Sequence, residues 1–126
     1  MIKVGILGVG GYIARELIRL LINHPDVSLE CFVSHSNTNG TEVSNIFKEF
    51  RKVISQKTTD KIDELNSCDV VIVPKHAKYS LEFVPSLINS GLRVIDMSAA
   101  FRFNDPHEYE KYYDSTHTNP ELLQET

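Results

Sequence analysis

The sequence predicts an α/β fold with a doubly wound, mostly parallel sheet covered by helices on both faces, in three layers. Short apolar runs without polar alternation are typical of parallel strands that are buried on both faces. Between these runs lie stretches with apolar residues three and four positions apart, which is the helical spacing. The first run also ends in a glycine cluster directly before such a stretch. Alternating strands and helices of this kind imply parallel strands joined by right-handed crossovers.

Size and composition are those of one ordinary globular domain, expected to span residues 1–126. The chain has 126 residues, 41% hydrophobic and 24% charged, with a net charge of −4. No basic stripe interleaved with aromatics is present, so we expect no nucleic-acid partner. The apolar runs are too short to span a membrane, and the N-terminal residues lack the apolar stretch of a signal peptide. We therefore expect a cytoplasmic location.

The first third of the chain predicts a strand, a helix and a second strand. The first strand runs from Ile2 to Leu7 and the helix from Gly11 to Ile22. Pro25 stops the helix, because proline disfavours the helical conformation in the residue before it. The second strand covers Val27–Val33, and the polar residues of Ser34–Gly40 predict a loop. The helix stripe predicted to face the core comprises Ile13, Leu17, Leu20 and Leu21.

The middle of the chain is less regular. Apolar residues three and four apart over residues 41–51 predict a short helix, and Val53-Ile54 predicts a brief strand. Residues 55–67 are polar and indicate no definite element. Asp69–Val73 predicts the next buried strand.

A further helix and strand follow. Tyr79–Asn89 predicts a helix with Leu81, Val84, Leu87 and Ile88 inward, and Gly91 supplies the left-handed position that commonly ends a helix. Leu92–Met97 predicts the next strand. Asp105-Pro106 marks a helix start, because an acid at the N-cap and proline at the first helical position are favoured there. Asn119-Pro120 repeats this signal more weakly.

The glycine cluster predicts a nucleotide-binding turn of the Rossmann-like kind. A strict Gly-x-Gly-x-x-Gly is broken, but the glycines and Ala14 follow a Gly-x-x-Gly-x-x-Ala spacing. Glycines let the backbone bend sharply and approach a diphosphate, and the following helix directs its N–H groups and positive dipole end at the anion. Tyr12 either packs beside the cofactor or anchors the turn. The candidate cofactor contacts here are Gly8, Gly10, Gly11, Tyr12 and Ile13.

The loop after the second strand bears on which cofactor binds. An acid there hydrogen-bonds the free 2′-hydroxyl of NAD, whereas hydroxyl or basic residues accommodate the 2′-phosphate of NADP. Glu30 lies 20 residues beyond Gly10 but sits in mid-strand. The residues at the strand's end are Ser34, His35 and Ser36, all able to donate to phosphate. They favour NADP, although an ordinary solvated turn is the alternative.

Several separate motifs carry a resemblance to a known family. They are Gly8–Tyr12, His24-Pro25, the segment LRVIDMSAAFR at residues 92–102, Asp105-Pro106, a tyrosine-rich stretch at 109–113, His117 and Pro120–Leu123. In this order and spacing they resemble the N-terminal part of N-acetyl-gamma-glutamyl-phosphate reductases. The resemblance implies a Rossmann-like NADP-binding domain. It also implies NADPH-dependent reduction of an acyl phosphate to a semialdehyde, in arginine biosynthesis.

The chain departs from the family pattern at three places. The threonine of the family's Gly-Ala-Thr-Gly-Tyr turn is Gly10, its Pro-His-Gly is matched by His76–Lys78, and the acid of its Ser-Ala-Asp-Phe-Arg segment is Ala100. The resemblance implies that Ser98 lies near the cofactor and that Arg102 meets the substrate's carboxylate or phosphate. An Asp96–Arg102 ion pair is the structural alternative. Lys75 and His76 either sit beside the phosphates or form a solvent-facing loop.

No catalytic residue is expected in this chain. The family continues with an Asn-Pro-Gly-Cys segment and a histidine, and its cysteine thiolate attacks the acyl phosphate. Cys31 lies within a predicted core strand and Cys68, 37 positions later, at the beginning of another, which suits neither a nucleophile nor a disulfide framework. The histidines show no metal-ligand spacing. We therefore expect a cofactor domain, inactive alone, whose partner is the missing catalytic domain; a homodimer through the surface that this domain would cover is also expected.

Two other functions remain open from the sequence. One is a non-catalytic module that senses a dinucleotide or binds a protein, which the three departures favour. The other is the cofactor domain of a related aspartate-semialdehyde or aminoadipyl-phosphate reductase, because the substrate side chain would be selected mainly by the absent domain.

Overall fold

Four parallel strands form the centre of the molecule. The computed structural model describes residues 1–34, 40–74 and 77–98, in which β1 (Ile2–Leu7), β2 (Val27–Val33), β3 (Val70–Val73) and β4 (Arg93–Asp96) pair in the order β2-β1-β3-β4. Each predicted strand among these is confirmed to within one residue at either end. The chain leaves β1 for β2 on one side and then crosses to β3 on the other, so the strand order reverses between β1 and β3.

Three helices and two 3₁₀ segments connect the strands. They are α1 (Tyr12–Leu21), α2 (Val43–Ile46), the 3₁₀ turn Lys48–Phe50, the 3₁₀ segment Ile62–Ser67 and α3 (Ala77–Asn89). The helix predicted over 41–51 is interrupted at its centre, where an extended residue (φ −122°, ψ 97°) separates α2 from the 3₁₀ turn. The helix starts predicted at Asp105 and Asn119 lie outside the described residues.

The strand predicted at Val53-Ile54 is wrong. Both backbone N–H groups donate to the Phe50 carbonyl at 3.0 Å, so this dipeptide closes a turn. Lys52 within the turn adopts φ 66°, a left-handed conformation that strand residues do not take. Pairing of the β type follows later in the chain, as an antiparallel bridge between Glu42 and Lys57 and a parallel bridge between Val33 and Thr59.

Side chains from both faces of the sheet make two cores, which confirms the three layers. Successive strand residues point to opposite faces, so Ile6 and Phe32 face one core while Leu7 and Val33 face the other. The core under α1 and α2 consists of Ile6, Val9, Ala14, Ile18, Phe32, Val43, Phe47, Phe50 and Ile54. The core under α3 consists of Leu7, Cys31, Val33, Leu65, Cys68, Val71, Val73, Leu81, Val84 and Leu87.

The predicted inward stripe of α1 is partly wrong. Ala14 and Ile18 are the buried residues of this helix, whereas Ile13 is 50% and Leu20 61% exposed. Positions 14, 17, 18 and 21 also have three- and four-residue spacing, and small Ala14 lets the helix approach the sheet closely. In α3 the predicted Leu81, Val84 and Leu87 are buried, whereas the inward position predicted for Ile88 is wrong, because this residue is 37% exposed. Gly91 ends that region with φ 84°, as predicted.

Two features of the described residues bear on the class of function. No helix there is long and apolar enough to cross a membrane. No group of three or more histidine, cysteine or acidic residues in the described ranges is arranged to hold a metal ion.

Candidate nucleotide-binding site

The turn between β1 and α1 is built from three glycines and one buried valine. Gly8 and Gly10 adopt φ values of 106° and 142°, which residues with a side chain rarely adopt. The N–H groups of Gly8 and Val9 both donate to the carbonyl of Val33, at 2.9 and 3.2 Å. Val9 itself is 1% exposed. The turn is therefore fixed to the carboxyl end of β2 from one side and to the core from below.

Gly11 leaves the amino-terminal end of α1 uncovered. It is the N-cap residue, in extended conformation (φ −114°, ψ 178°), and no side chain caps the helix. The N–H groups of a first helical turn have no partner within the helix and attract anions. A Cβ atom added at Gly10 or Gly11 would meet no heavy atom within 4 Å. The space beside the turn is thus free of protein atoms, and a side chain at Gly11 would extend into it.

A cavity of about 470 Å³ continues from this turn. One wall is the start of α1 and the other is the end of α2 with the 3₁₀ turn. Tyr12 is 84% exposed, so its ring is free to pack against a ligand and does not anchor the turn by burial. The residues lining the cavity are Gly10, Gly11, Tyr12, Arg15, Ile46, Phe47, Lys48 and Glu49.

Charged side chains at this cavity were not singled out by the sequence. Arg15 donates from Nε to Glu49 Oε2 at 2.6 Å, and its Nη2 lies 2.5 Å from the same oxygen. Lys48 is exposed and forms no ion pair with any other described residue. Two cations against one carboxylate leave the cavity with surplus positive charge. Of these residues, Arg15 could have been predicted from the sequence, because it lies four residues after Gly11 and therefore on the same face of the helix.

The residues predicted to meet the adenosine ribose are only partly described. Ser34 is 2% exposed, and its backbone N–H donates to the Thr59 carbonyl at 2.8 Å. Its hydroxyl is therefore buried beneath the surface of the strand end. Glu30 lies within β2, where its carboxylate accepts a hydrogen bond from Ser28 Oγ at 2.6 Å. His35 and Ser36 lie outside the described residues.

A second polar group lies at the carboxyl end of β4. Asp96 Oδ1 accepts hydrogen bonds from Ser80 Oγ at 2.8 Å and from the Ser98 N–H at 2.9 Å. The Ser98 hydroxyl donates to Ser80 Oγ at 3.0 Å. Asp96 Oδ2 is buried without a partner among the described residues. Ser98 is thus held at the carboxyl end of β4, while Arg102, Lys75 and His76 lie outside the described residues.

Both cysteines are buried free thiols, as the sequence predicts. Burial, and to a lesser extent the nearby Cys68 and Glu64, raise the pKa of Cys31 from 9.0 to about 12. Burial is also the main cause of the raised pKa of Cys68. Nucleophilic cysteines need a lowered pKa and access to substrate. Neither thiol has these properties.

Comparison with protein-family models identifies the chain's sequence relatives. Residues 3–126 match the model described as semialdehyde dehydrogenase, NAD binding domain. Three curated relatives are named N-acetyl-gamma-glutamyl-phosphate reductase. Those from Nitrosospira multiformis and Nitrosomonas eutropha are 38% and 39% identical over 126 residues, and one from Neisseria meningitidis serogroup C is 40% identical over 124. The matches cover 97–99% of this chain and 35–36% of the relatives, so the chain spans about a third of their length.

Solved structures agree on the fold. Aspartate semialdehyde dehydrogenase with NADP from Candida albicans has a TM-score of 0.72 at 21% identity, covering 84% of this chain and 32% of that one. The Francisella tularensis enzyme of the same name has a TM-score of 0.60 at 23% identity, covering 81% and 28%. A scyllo-inositol dehydrogenase from Lactobacillus casei with bound NAD(H) has a TM-score of 0.58 at 16% identity, covering 76% and 27%. At these identities the likeness concerns the fold alone.

Proposed function

The chain belongs to the family of semialdehyde dehydrogenase NAD-binding domains, and from this premise we propose that it is the NADP-binding domain of an N-acetyl-gamma-glutamyl-phosphate reductase. The curated relatives with that name support the choice of enzyme. The observation that carries the proposal is the uncapped start of α1 beside glycines whose Cβ positions open onto empty space. Such a turn at the point where strand order reverses is where α/β sheets of this class bind dinucleotides.

The residues of this chain would bind and orient the cofactor. Gly8, Gly10 and Gly11 would cradle the diphosphate, with Tyr12 and Ile13 beside it at the open helix end. Ser98, at the carboxyl end of β4, would lie on the nicotinamide side. Reduced NADP supplies hydride for the reduction of an acyl phosphate to a semialdehyde. Arg102 would contact the substrate's carboxylate or phosphate.

The nucleophile would come from outside this chain. The high pKa of Cys31 and the burial of both thiols support this assignment, because a thiolate must form and reach substrate. We propose that residues 1–126 fold as one domain and that the catalytic domain of the reductase completes the active site. The chain alone is expected to bind cofactor without turning over substrate. Homodimerisation and a cytoplasmic location stay predictions.

A titration with two nucleotides tests the proposal. NADPH added to the 126-residue chain should bind more tightly than NADH, followed by nicotinamide fluorescence. Gly11→Val should abolish binding, since the branched side chain enters the diphosphate space without meeting any protein atom within 4 Å at its Cβ. Gly11→Ala should weaken binding less.

The melting temperature serves as the control for these variants. Gly11 has a negative φ, so the substitutions need no change of backbone conformation and should leave the fold intact. Equal NADPH affinity in folded wild-type protein and folded Gly11→Val would overturn the proposed site. Absence of any binding to the folded wild-type chain would overturn the function and favour a protein-interaction module.

A further inference from the structure

We propose that the cavity between the glycine turn and the 3₁₀ turn Lys48–Phe50 holds the adenosine 2′-phosphate of NADP, an assignment that rests on the proposed function. Lys48 and Arg15 are the residues that select this phosphate over the 2′-hydroxyl of NAD. Neither lies in the loop directly after β2, where the sequence predicts the contacts to this phosphate.

The place of the cavity in the fold indicates which half of a dinucleotide reaches it. From the glycine turn, the adenosine half extends toward the end of the second strand in folds of this class. Here β2 lies beside β1, on the side away from β3 and β4. The 3₁₀ turn follows β2 in the chain, and Phe47 and Phe50 pack in the same core as Ala14 and Ile18 of α1. The cavity therefore lies on the adenosine side of the turn.

The side chains that line the cavity suit a nucleoside as well as a phosphate. Ile46 and Phe47 supply apolar wall, and the exposed ring of Tyr12 lies at the same opening. Apolar and aromatic surface with a few polar groups is typical of small-molecule sites. Arg15 belongs to the α1 wall and Lys48 to the 3₁₀ wall, and the Arg15–Glu49 ion pair connects the two walls.

Arg15 is already oriented by its ion pair. Nε and Nη2 both contact Glu49 Oε2, which leaves Nη1 without a partner among the described residues. A guanidinium held in this way can still donate to a second oxyanion. Lys48, next to Glu49 on the 3₁₀ turn, supplies a second cation to the same cavity. A phosphate monoester carries about −1.5 to −2 charges at pH 7 and would accept from both.

The 2′-hydroxyl of NAD offers the same two cations only a neutral acceptor. Charge-assisted hydrogen bonds are about twice as strong as neutral ones. One charge-assisted hydrogen bond typically increases affinity by about tenfold or more. Each cation should therefore contribute about tenfold to the preference for the phosphorylated cofactor. Glu49 opposes a phosphate electrostatically, so Glu49→Gln should increase the preference a few-fold.

The adenosine halves of the two cofactors give the sharpest test. Adenosine 2′,5′-bisphosphate and adenosine 5′-monophosphate differ only in the 2′-phosphate, and their affinities for the full 126-residue chain can be measured by calorimetry. Because two contributions of about tenfold multiply, the wild-type chain should bind the bisphosphate about 100-fold more tightly. Lys48→Ala and Arg15→Ala should each reduce this ratio about tenfold with little change in affinity for the monophosphate.

Two variants provide matched controls. Lys61→Ala removes one positive charge from an exposed lysine that does not line the cavity. Arg19→Ala breaks the Arg19–Glu16 ion pair, which lies one turn further along α1 and outside the cavity. Both should leave the affinity ratio within about twofold of the wild type if the cavity cations act by direct contact.

The outcomes separate this assignment from the proposed function. Equal weakening of both ligands by Lys48→Ala and Arg15→Ala would overturn it, because the cations would then contact a part common to both. An unchanged ratio in both variants would overturn it too, with selection lying elsewhere. Failure of the wild-type chain to bind NADPH, NADH and both adenosine nucleotides would refute the proposed function itself.

Discussion

Gly5→Ala should destabilise the fold mainly through a clash with Leu65. Gly5 lies in β1, on the face where Leu65 and Cys68 pack against the sheet. A Cβ at Gly5 would come within 2.6 Å of Leu65 Cδ2 and 3.0 Å of Cys68 Sγ. Leu65 is fully buried, so its side chain has little room to move away.

The penalty follows from overpacking. Extra methyl groups in a packed core cost about 1–3 kcal/mol. Restricting the unfolded chain by replacing glycine returns about 0.4–1 kcal/mol. We therefore expect Gly5→Ala to lower the free energy of unfolding by about 1–2 kcal/mol. Leu65→Ala alone should lower it by about 2–5 kcal/mol.

A double-mutant cycle followed by urea denaturation identifies the cause. In the Leu65→Ala background the new methyl group enters the vacated space, so Gly5→Ala should be neutral or stabilising. The coupling energy between the two sites should reach at least about 1 kcal/mol. If Gly5→Ala were equally destabilising in both backgrounds, the penalty would not come from Leu65, and the reasoning from this contact would be refuted.

Three further predictions concern single residues. Lys52→Gly should raise the free energy of unfolding by about 0.5–1 kcal/mol, because glycine adopts the left-handed conformation at φ 66° without strain. Lys57 has no positive φ, so Lys57→Gly should not raise the free energy of unfolding. An equal gain in both variants would contradict this explanation. Cys31 should react with a disulfide reagent at pH 8 about 10³-fold more slowly in folded than in unfolded protein, because its pKa is raised from 9.0 to about 12. For the same reason, the stability that the buried thiol contributes below pH 9 should decline as the pH rises above 9. Fast labelling of the native protein would exclude this effect of burial. Asp96→Ala should lower the free energy of unfolding by about 1.5–3 kcal/mol in urea, because the buried Ser80 hydroxyl loses its charged acceptor, and a neutral result would mean that the hydrogen bond is unimportant.

The strands and the glycine turn could be predicted because local sequence determines them. Four short apolar runs are typical of buried strands of a parallel sheet, and Gly8 and Gly10 stand where positive φ values are required. The inward face of α1 could not be chosen reliably. Two overlapping stripes have helical spacing, and close contact between Ala14 and the sheet decides between them.

The cavity walls depend on contacts that sequence spacing does not reveal. Lys48 and Glu49 lie beside Arg15 only because Phe47 and Phe50 insert into the core under α1. That insertion also breaks the helix predicted over 41–51 and produces the turn at Val53-Ile54. The cationic side chains of the candidate site therefore become recognisable only in the folded chain.

Nuclear magnetic resonance of the ¹⁵N-labelled chain, titrated with NADPH, tests the central claim most directly. The amides of Gly8–Tyr12 and those around Arg15 and Lys48 should shift together and saturate with a single dissociation constant. Shifts confined to residues remote from the glycine turn, or none at saturating NADPH in a folded sample, would contradict the account.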